Sequence, residues 1–260
     1  MSTAAPPVVT GQFTPNPGRA PLLRMLLAQT RMELTLIVRN GEQVLLNLIV
    51  PLGLLIVCTK IPFIEVGGER ADFFVPGVLA LAVMSAAFTG QAIATGFDRQ
   101  YGVLKRLGAT ALPRTVLLGA KTAAVLVVEL LQIALLCGAG IALGWHPHGD
   151  PFSVAVLIAV GTAAFCGMAF LMAGLLRAMT TLALANILWF LLLIFGGIAF
   201  PLSDLGGAAD VFELLPSGAL SNGLRMVLET GEVAPVHDVL ILGGWAVVTL
   251  VAAAATFRWE

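Results

Sequence analysis

The sequence predicts an all-α polytopic membrane protein. It has an N-terminal interfacial amphipathic helix and six transmembrane helices, with both termini cytosolic and short outer helices between spans five and six. Three observations predict this. Hydrophobic residues make up 58% of the 260-residue chain and charged residues only 11%, roughly half the charged share of soluble domains. The mean hydropathy is +0.97, more apolar surface than a soluble fold of this length could hide. Apolar runs of membrane-crossing length recur, with basic residues crowded into alternate gaps. The bilayer is therefore the expected solvent, and no nucleic-acid partner is expected.

Residues 1–20, "MSTAAPPVVTGQFTPNPGRA", hold four prolines and no apolar stretch of signal-peptide length. They read as a disordered cytosolic tail, and residues 21–260 as a single transmembrane domain. Residues 21–40 follow. At 100° per residue, Leu23, Leu26, Leu27, Thr30, Leu34, Ile37 and Val38 share one face, and Arg24, Arg31, Thr35 and Arg39 another. Three arginines and Glu33 make deep insertion costly, so a helix lying flat at the membrane surface is expected. The alternative is that this segment starts a bent first span.

A hydrocarbon core about 30 Å thick needs about 20 helical residues to cross it. The segments that meet this test are Val44–Phe63, Phe73–Phe97, Val116–Leu143, Phe152–Leu176, Leu182–Leu202 and Val239–Phe257. Pro51 falls inside the first, where a kink is expected. With the termini inside, eleven basic residues face the cytosol: Arg19, Arg24, Arg31, Arg39, Arg99, Lys105, Arg106, Arg114, Lys121, Arg177 and Arg258. Three face outward: Lys60, Arg70 and Arg225. That asymmetry sets the orientation.

The stretch "FDRQYGVLKRLGATALPRTVLLGAK" (97–121) then lies in the cytosol. Tyr101, Leu104, Leu107 and Gly108 recur at helical spacing, with Arg99, Lys105 and Arg106 beside them. Pro113 is expected to stop that helix, and Lys121 to reach back to the headgroups. Two readings stand: a positive-inside loop touching only lipid, or a docking element for a soluble partner. The sequence "LLGAKT" (117–122) is no phosphate-binding loop. Ala120 precedes Lys121 where such a loop needs glycine, and no nucleotide motif occurs elsewhere.

These residues resemble the type-2 ABC exporter permeases, the class that includes daunorubicin-resistance-like multidrug permeases. The resemblance rests on Asp98, Gly102, Leu104, Arg106-Leu107, Thr110 and Arg114, followed by Gly119 and Lys121. Lys105 stands where an acid is common in that class, and Ala111 where a proline is. A second likeness lies in Phe200–Gly231, which overlaps the outer helical segment expected at 203–238, through Pro201, Leu215-Pro216 and Leu224-Arg225. Helical pieces are expected there at Val211–Leu215 and Gly218–Leu228, lying against the membrane edge.

The resemblance implies a permease subunit that moves hydrophobic drugs or lipid-like molecules out of the cell, without an ATPase site of its own. ATP and Mg would be bound by separate cytosolic nucleotide-binding subunits. These would dock on the coupling loop 98–114 through Asp98, Arg99, Tyr101, Gly102, Leu104, Arg106, Leu107, Thr110 and Arg114. A second permease chain, identical or homologous, would complete the pathway in a prokaryotic cytoplasmic membrane. A glycan or lipid-linked glycan as cargo, or an ATP-independent transporter or channel, are the alternatives.

Glu129 sits near the middle of the third span, where an acid costs roughly 2.5–3.5 kcal/mol on insertion scales. It therefore needs a partner, a polar cavity or a proton. Glu129, Gln132, Asn186 and Gln91 are expected in the transport path or the bundle interior, with Asn47 a further polar residue in the first span. Each also fits a plain inter-helix hydrogen bond. Cys58, Cys137 and Cys166 lie in apolar runs and read as small buried residues. "HPHGD" (146–150) offers two histidines and an acid, which on an exposed loop are more often solvated than metal-bound.

Overall fold

A computed structural model describes residues 20–61, 70–198 and 209–256. Among them the chain forms helices joined by short turns. They are α1 (Leu22–Arg39), α2 (Gly41–Lys60), α3 (Arg70–Met84), α4 (Gln91–Gln100), α5 (Val103–Gly108), α6 (Arg114–Ala142), α7 (Pro151–Leu175), α8 (Ala178–Phe195), α9 (Ala209–Glu213), α10 (Pro216–Arg225) and α11 (Val236–Thr256). A π-helical segment, Ser85–Gly90, joins α3 to α4 without a break, and another, Met226–Thr230, extends α10.

Five helical stretches are long and apolar enough to cross a membrane: Arg70–Gln100, Arg114–Ala142, Pro151–Leu175, Ala178–Phe195 and Val236–Thr256. The expected first span corresponds to α2, whose apolar part Asn47–Lys60 is shorter. Pro51 lies inside α2 without ending it. The arginine at the start of α3 steadies the other end of α2, because Arg70 donates to the carbonyls of Cys58 and Ile61.

Arg70–Gln100 is the central spine. Ala71 and every residue from Phe74 to Met84 are buried, and α7, α10, α6 and α2 pack around it. The helix continues through Pro76, which lies inside α3 and leaves the Asp72 carbonyl without its usual intrahelical donor. At the start of α7 the side chain of Asp150 accepts the N–H groups of Phe152 and Ser153, and Pro151 occupies the first helical position. The Ser153 and Phe152 amides hold the Asp150 carboxyl below its ordinary range.

Several expected boundaries move. The fifth span starts earlier than Leu182, at Ala178, and its helix ends at Phe195 rather than running to Leu202. Apolar residues continue past that point, but Gly197 has φ +66° and turns the chain. Pro113 does not stop the loop helix. That helix ends at Gly108, and Pro113, in an extended conformation, instead precedes α6. The outer segment also differs from a helix at the membrane edge. Pro216–Ser221, Gly223 and Leu224 of α10 are buried, wedged among α3, α7, α8 and α11. Pro201, the tail before residue 20, and the ends of the expected spans at Phe63, Leu202 and Phe257 lie outside the described residues.

Helices α7 and α11 pack closely against each other. A Cβ on Gly167 would collide with Thr249 Oγ1 and stand 3.0 Å from the Leu250 nitrogen, whereas one on Gly243 meets open space. Gly167→Leu is expected to cost about 1–3 kcal/mol through overpacking, read as a lower thermal unfolding midpoint of the purified protein. Gly243→Ala should not lower it.

Candidate functional site

The loop joining α4 to α6 is built to present one side and anchor the other. Gly102 has φ +71°, a left-handed conformation that only glycine adopts without cost. It turns the chain between α4 and α5, with its N–H on the Arg99 carbonyl and its carbonyl accepting the Arg106 N–H. At the far end, the Thr110 hydroxyl donates to the Leu107 carbonyl at 2.6 Å and accepts the Leu112 N–H. Six residues of helix are thereby closed at both ends.

The nine loop residues singled out by sequence separate into three groups. Tyr101, Arg106, Thr110 and Arg114 are exposed. Tyr101 is 68% exposed and its ring stacks on Phe97 at 5.9 Å. Gly102 and Leu107 are half-buried. The remaining three point inward. Leu104 is 0% exposed, so it belongs to the core and not to an outward apolar knob. Arg99 donates to the carbonyls of Ala173, Gly174 and Leu176 at 3.2, 2.8 and 3.4 Å. It therefore closes the C-terminal end of α7, where orphan carbonyls and the helix dipole favour a cation.

Asp98 meets a buried ion cluster that sequence reasoning missed. The Lys121 ammonium lies 2.8 Å from Asp98 Oδ2 and 3.0 Å from Glu33 Oε2. Gln29 Nε2 donates to the other Glu33 oxygen at 2.8 Å. The Lys121 side chain is 3% exposed, and those of Glu33 and Asp98 10% and 31%. Lys121 thus does not reach back to the headgroups. It is the shared cation of α1, α4 and α6. The inward face of α1 is polar at its centre, through Gln29 and Glu33, while Leu22, Leu23, Leu27, Met32 and Leu36 face outward with Arg24, Arg31 and Arg39. The one available signal was Glu33 itself, an acid four residues after Gln29 on a helix otherwise basic.

Deeper in the bundle, Glu129 is 1% exposed. The hydroxyl of Thr162 on α7 lies 2.5 Å from Glu129 Oε2 and 2.8 Å from the Ile158 carbonyl. A hydroxyl has one hydrogen. If Thr162 gives it to Ile158, Glu129 must be the donor to Thr162, so the neutral acid fits this pair. One turn along the same face, Gln132 donates to the Asn47 carbonyl of α2 at 2.5 Å. Glu129 Oε1 and the side-chain oxygens of Gln132 and Gln91 are buried without a partner among the described residues. Glu129 and Gln132 therefore tie α6 to α7 and α2. Gln91 is buried within the central spine. Asn186 is not brought to this group: it lies exposed on α8.

The opposite end of the bundle is sealed by α10. Arg225 sits 4.1 Å over the Phe73 ring and donates to the Gly197 and Ile198 carbonyls beyond α8. Burial pushes the nearby Glu229 carboxyl up from its ordinary range; Arg225 opposes that shift and Asp72 adds to it. In "HPHGD", the His146 N–H donates to Asp72 and the His148 N–H to the Leu228 carbonyl. No group of three metal-ligating side chains occurs among the described residues.

Two outcomes follow. Lys121→Met leaves two carboxylates facing each other in a largely dry site, and is expected to cost about 3–5 kcal/mol. Adding Glu33→Gln and Asp98→Asn should recover most of that, measured as the thermal unfolding midpoint. Glu129→Gln keeps a donor for Thr162 and should unfold within about 0.5 kcal/mol of the parent, whereas Glu129→Leu orphans the Thr162 oxygen and should cost about 1–3 kcal/mol.

Comparison with known proteins agrees with this architecture. No curated protein matches the chain. The family model described as ABC-2 family transporter protein matches residues 65–255, well over half of the sequence. That match takes in the spine, the anchored loop, the buried acid and the sealing helix. The chain belongs to the ABC-2 family of transporter proteins, as a multi-pass membrane permease subunit that works with a cytosolic ATPase subunit.

Proposed function

We propose that this chain is the membrane half of an ATP-driven exporter for hydrophobic drugs or lipid-like molecules, set in a prokaryotic cytoplasmic membrane with both termini inside. The observation that carries the proposal is the α4–α6 loop. Its outward residues Tyr101, Arg106, Thr110 and Arg114 form a small basic patch with one aromatic ring. Its inward residues are held by Lys121 of α6, by the end of α7 and by the core around Leu104. A loop that only touched lipid would not need this rigid mounting.

The ATP-binding subunits, carrying ATP and Mg, dock on that patch and push it as they close. The push is useful only because inward- and outward-facing bundles then differ in free energy according to nucleotide. A second permease chain supplies the other wall of the pathway. Cargo of an apolar kind fits a chain whose sealing segment α10 is short and buried and adds no soluble domain to the described residues.

Glu129 is a structural acid that also offers a pH-sensitive element in the bundle. Within this reading, Glu129→Gln should leave assembly intact and alter the pH dependence of transport into inverted vesicles. An unchanged profile would restrict Glu129 to packing.

The docking face is tested by co-purifying the chain with its ATPase subunit. Tyr101→Ala with Arg106→Glu should lower both the bound ATPase and nucleotide-driven export at least about tenfold, since hot spots of this kind are worth above 1 kcal/mol each. The unfolding midpoint should not move. Retention of full ATPase binding in that double variant would sink the docking assignment. Leu104→Glu should instead destabilise the chain, because Leu104 is a core residue.

A further inference from the structure

The outward side of α1 holds charge that the bundle does not use. Arg24, Arg31 and Arg39 are exposed, and none makes an ion pair among the described residues. Glu33 is the sole acid in α1, and it is turned inward onto Lys121. The outward side is therefore cationic, with nothing on α1 itself to neutralise it.

At 100° per residue the three arginines and Thr35 form a stripe about 80° wide, opposite the side that carries Gln29 and Glu33. Apolar residues border the stripe on both sides. Leu23, Leu27 and Val38 stand along one border, Met32 and Leu36 along the other, and all five are exposed. An open groove of about 430 Å³ follows the second border. Its lining makes two rows at four-residue spacing: Ala28, Met32 and Leu36 in one, Arg31, Thr35 and Arg39 in the other.

This pattern selects the occupant. Two apolar borders call for hydrocarbon, and a cationic stripe between them calls for anions at the edge of that hydrocarbon. Arginine stems lie along apolar surface while their heads reach the polar layer. The anion at that depth is a phosphate, which a guanidinium holds through two parallel hydrogen bonds. An acidic protein surface would match the arginines and leave both borders in water.

We infer that α1 carries a binding site for anionic phospholipid, with an acyl chain along Ala28, Met32 and Leu36 and the headgroup phosphate on Arg31 and Arg39. Arg24 takes a neighbouring headgroup. A zwitterionic headgroup fits less well, because its ammonium faces the same arginines. The Glu33–Lys121 pair gains a second use here: it keeps the acid of α1 away from the phosphate. The inference stands apart from the exporter reading, since it needs neither ATPase nor cargo.

The test uses the purified full chain, delipidated in neutral detergent, with lipid adducts counted by native mass spectrometry. Dioleoylphosphatidylglycerol should bind at least about tenfold more tightly than dioleoylphosphatidylcholine. Arg31→Gln should weaken the phosphatidylglycerol about fivefold, the effect of one basic residue at an anionic surface, and Arg24→Gln, Arg31→Gln and Arg39→Gln together at least about thirtyfold. Arg177→Gln, an exposed arginine outside α1, should stay within about twofold of the parent. Met32→Ser with Leu36→Ser should also weaken binding, with every arginine kept.

Equal affinity for the two lipids, full binding by the triple variant, or an equal loss in Arg177→Gln would each overturn the inference. So would competition by inorganic phosphate with no effect of Met32→Ser and Leu36→Ser, which would mark a bare anion site. ATPase subunit retained by the triple variant is measured in parallel. Its loss with phosphatidylglycerol binding intact would assign the stripe to the ATPase and overturn the lipid site. Loss of lipid with the ATPase retained supports the site and leaves the exporter reading untouched.

Discussion

The ammonium of Lys121 is the constraint on which the loop end of the molecule depends. It sits where solvent barely reaches, and the charge it carries obliges α1 and α4 to bring carboxylates to it. Taking three charged groups out of water costs several kcal/mol for each ion unless geometry and further hydrogen bonds offset it. The cluster supplies that geometry: two ion pairs near 3 Å and a glutamine on the remaining Glu33 oxygen. A cluster so costly when incomplete gives its helices one acceptable arrangement. The amphipathic helix before the spans is therefore part of the bundle and not merely an object resting on lipid.

The same logic runs through the rest of the bundle on a smaller scale. Inside a bilayer there is little hydrophobic reason for one helix to prefer another over lipid, so close packing and polar ties decide. Close packing appears where Gly167 lets α11 approach α7. Polar ties appear where Thr162 meets Glu129, where Gln132 meets the Asn47 carbonyl and where the Trp189 indole donates to Ser85. Each joins residues far apart in sequence. Arg99 closes the carbonyl end of α7, and Arg225 holds the turn that follows α8.

What could be read from the sequence was what depends on one helix at a time. Apolar run length placed five of the six expected spans on long apolar helices, because the bilayer sets the length, while the first falls on α2, whose apolar part is shorter. It failed at the end of α8, where apolar residues continue past a glycine that turns the chain; hydropathy reports burial in lipid and not helicity. Pro113 was misread because proline stops one helix and begins the next with equal ease. The inward turn of Leu104 and the capture of Lys121 were not legible, since periodicity names a face but not what stands opposite it. Glu129 was legible as costly, but only the fold identifies Thr162 as its partner.

The π-helical segment at Ser85–Gly90 has a mechanical meaning. A π turn holds one residue more than the α turn it replaces, so it sets the rotational phase of everything after it. Shortening that segment by a single residue would turn α4 by about 100° relative to α3. Asp98 and Arg99 would then swing away from Lys121 and from the end of α7 together. A local widening in the middle of one span thus dials the heading of the distant hairpin, and chain length there is as much a part of its aim as any side chain.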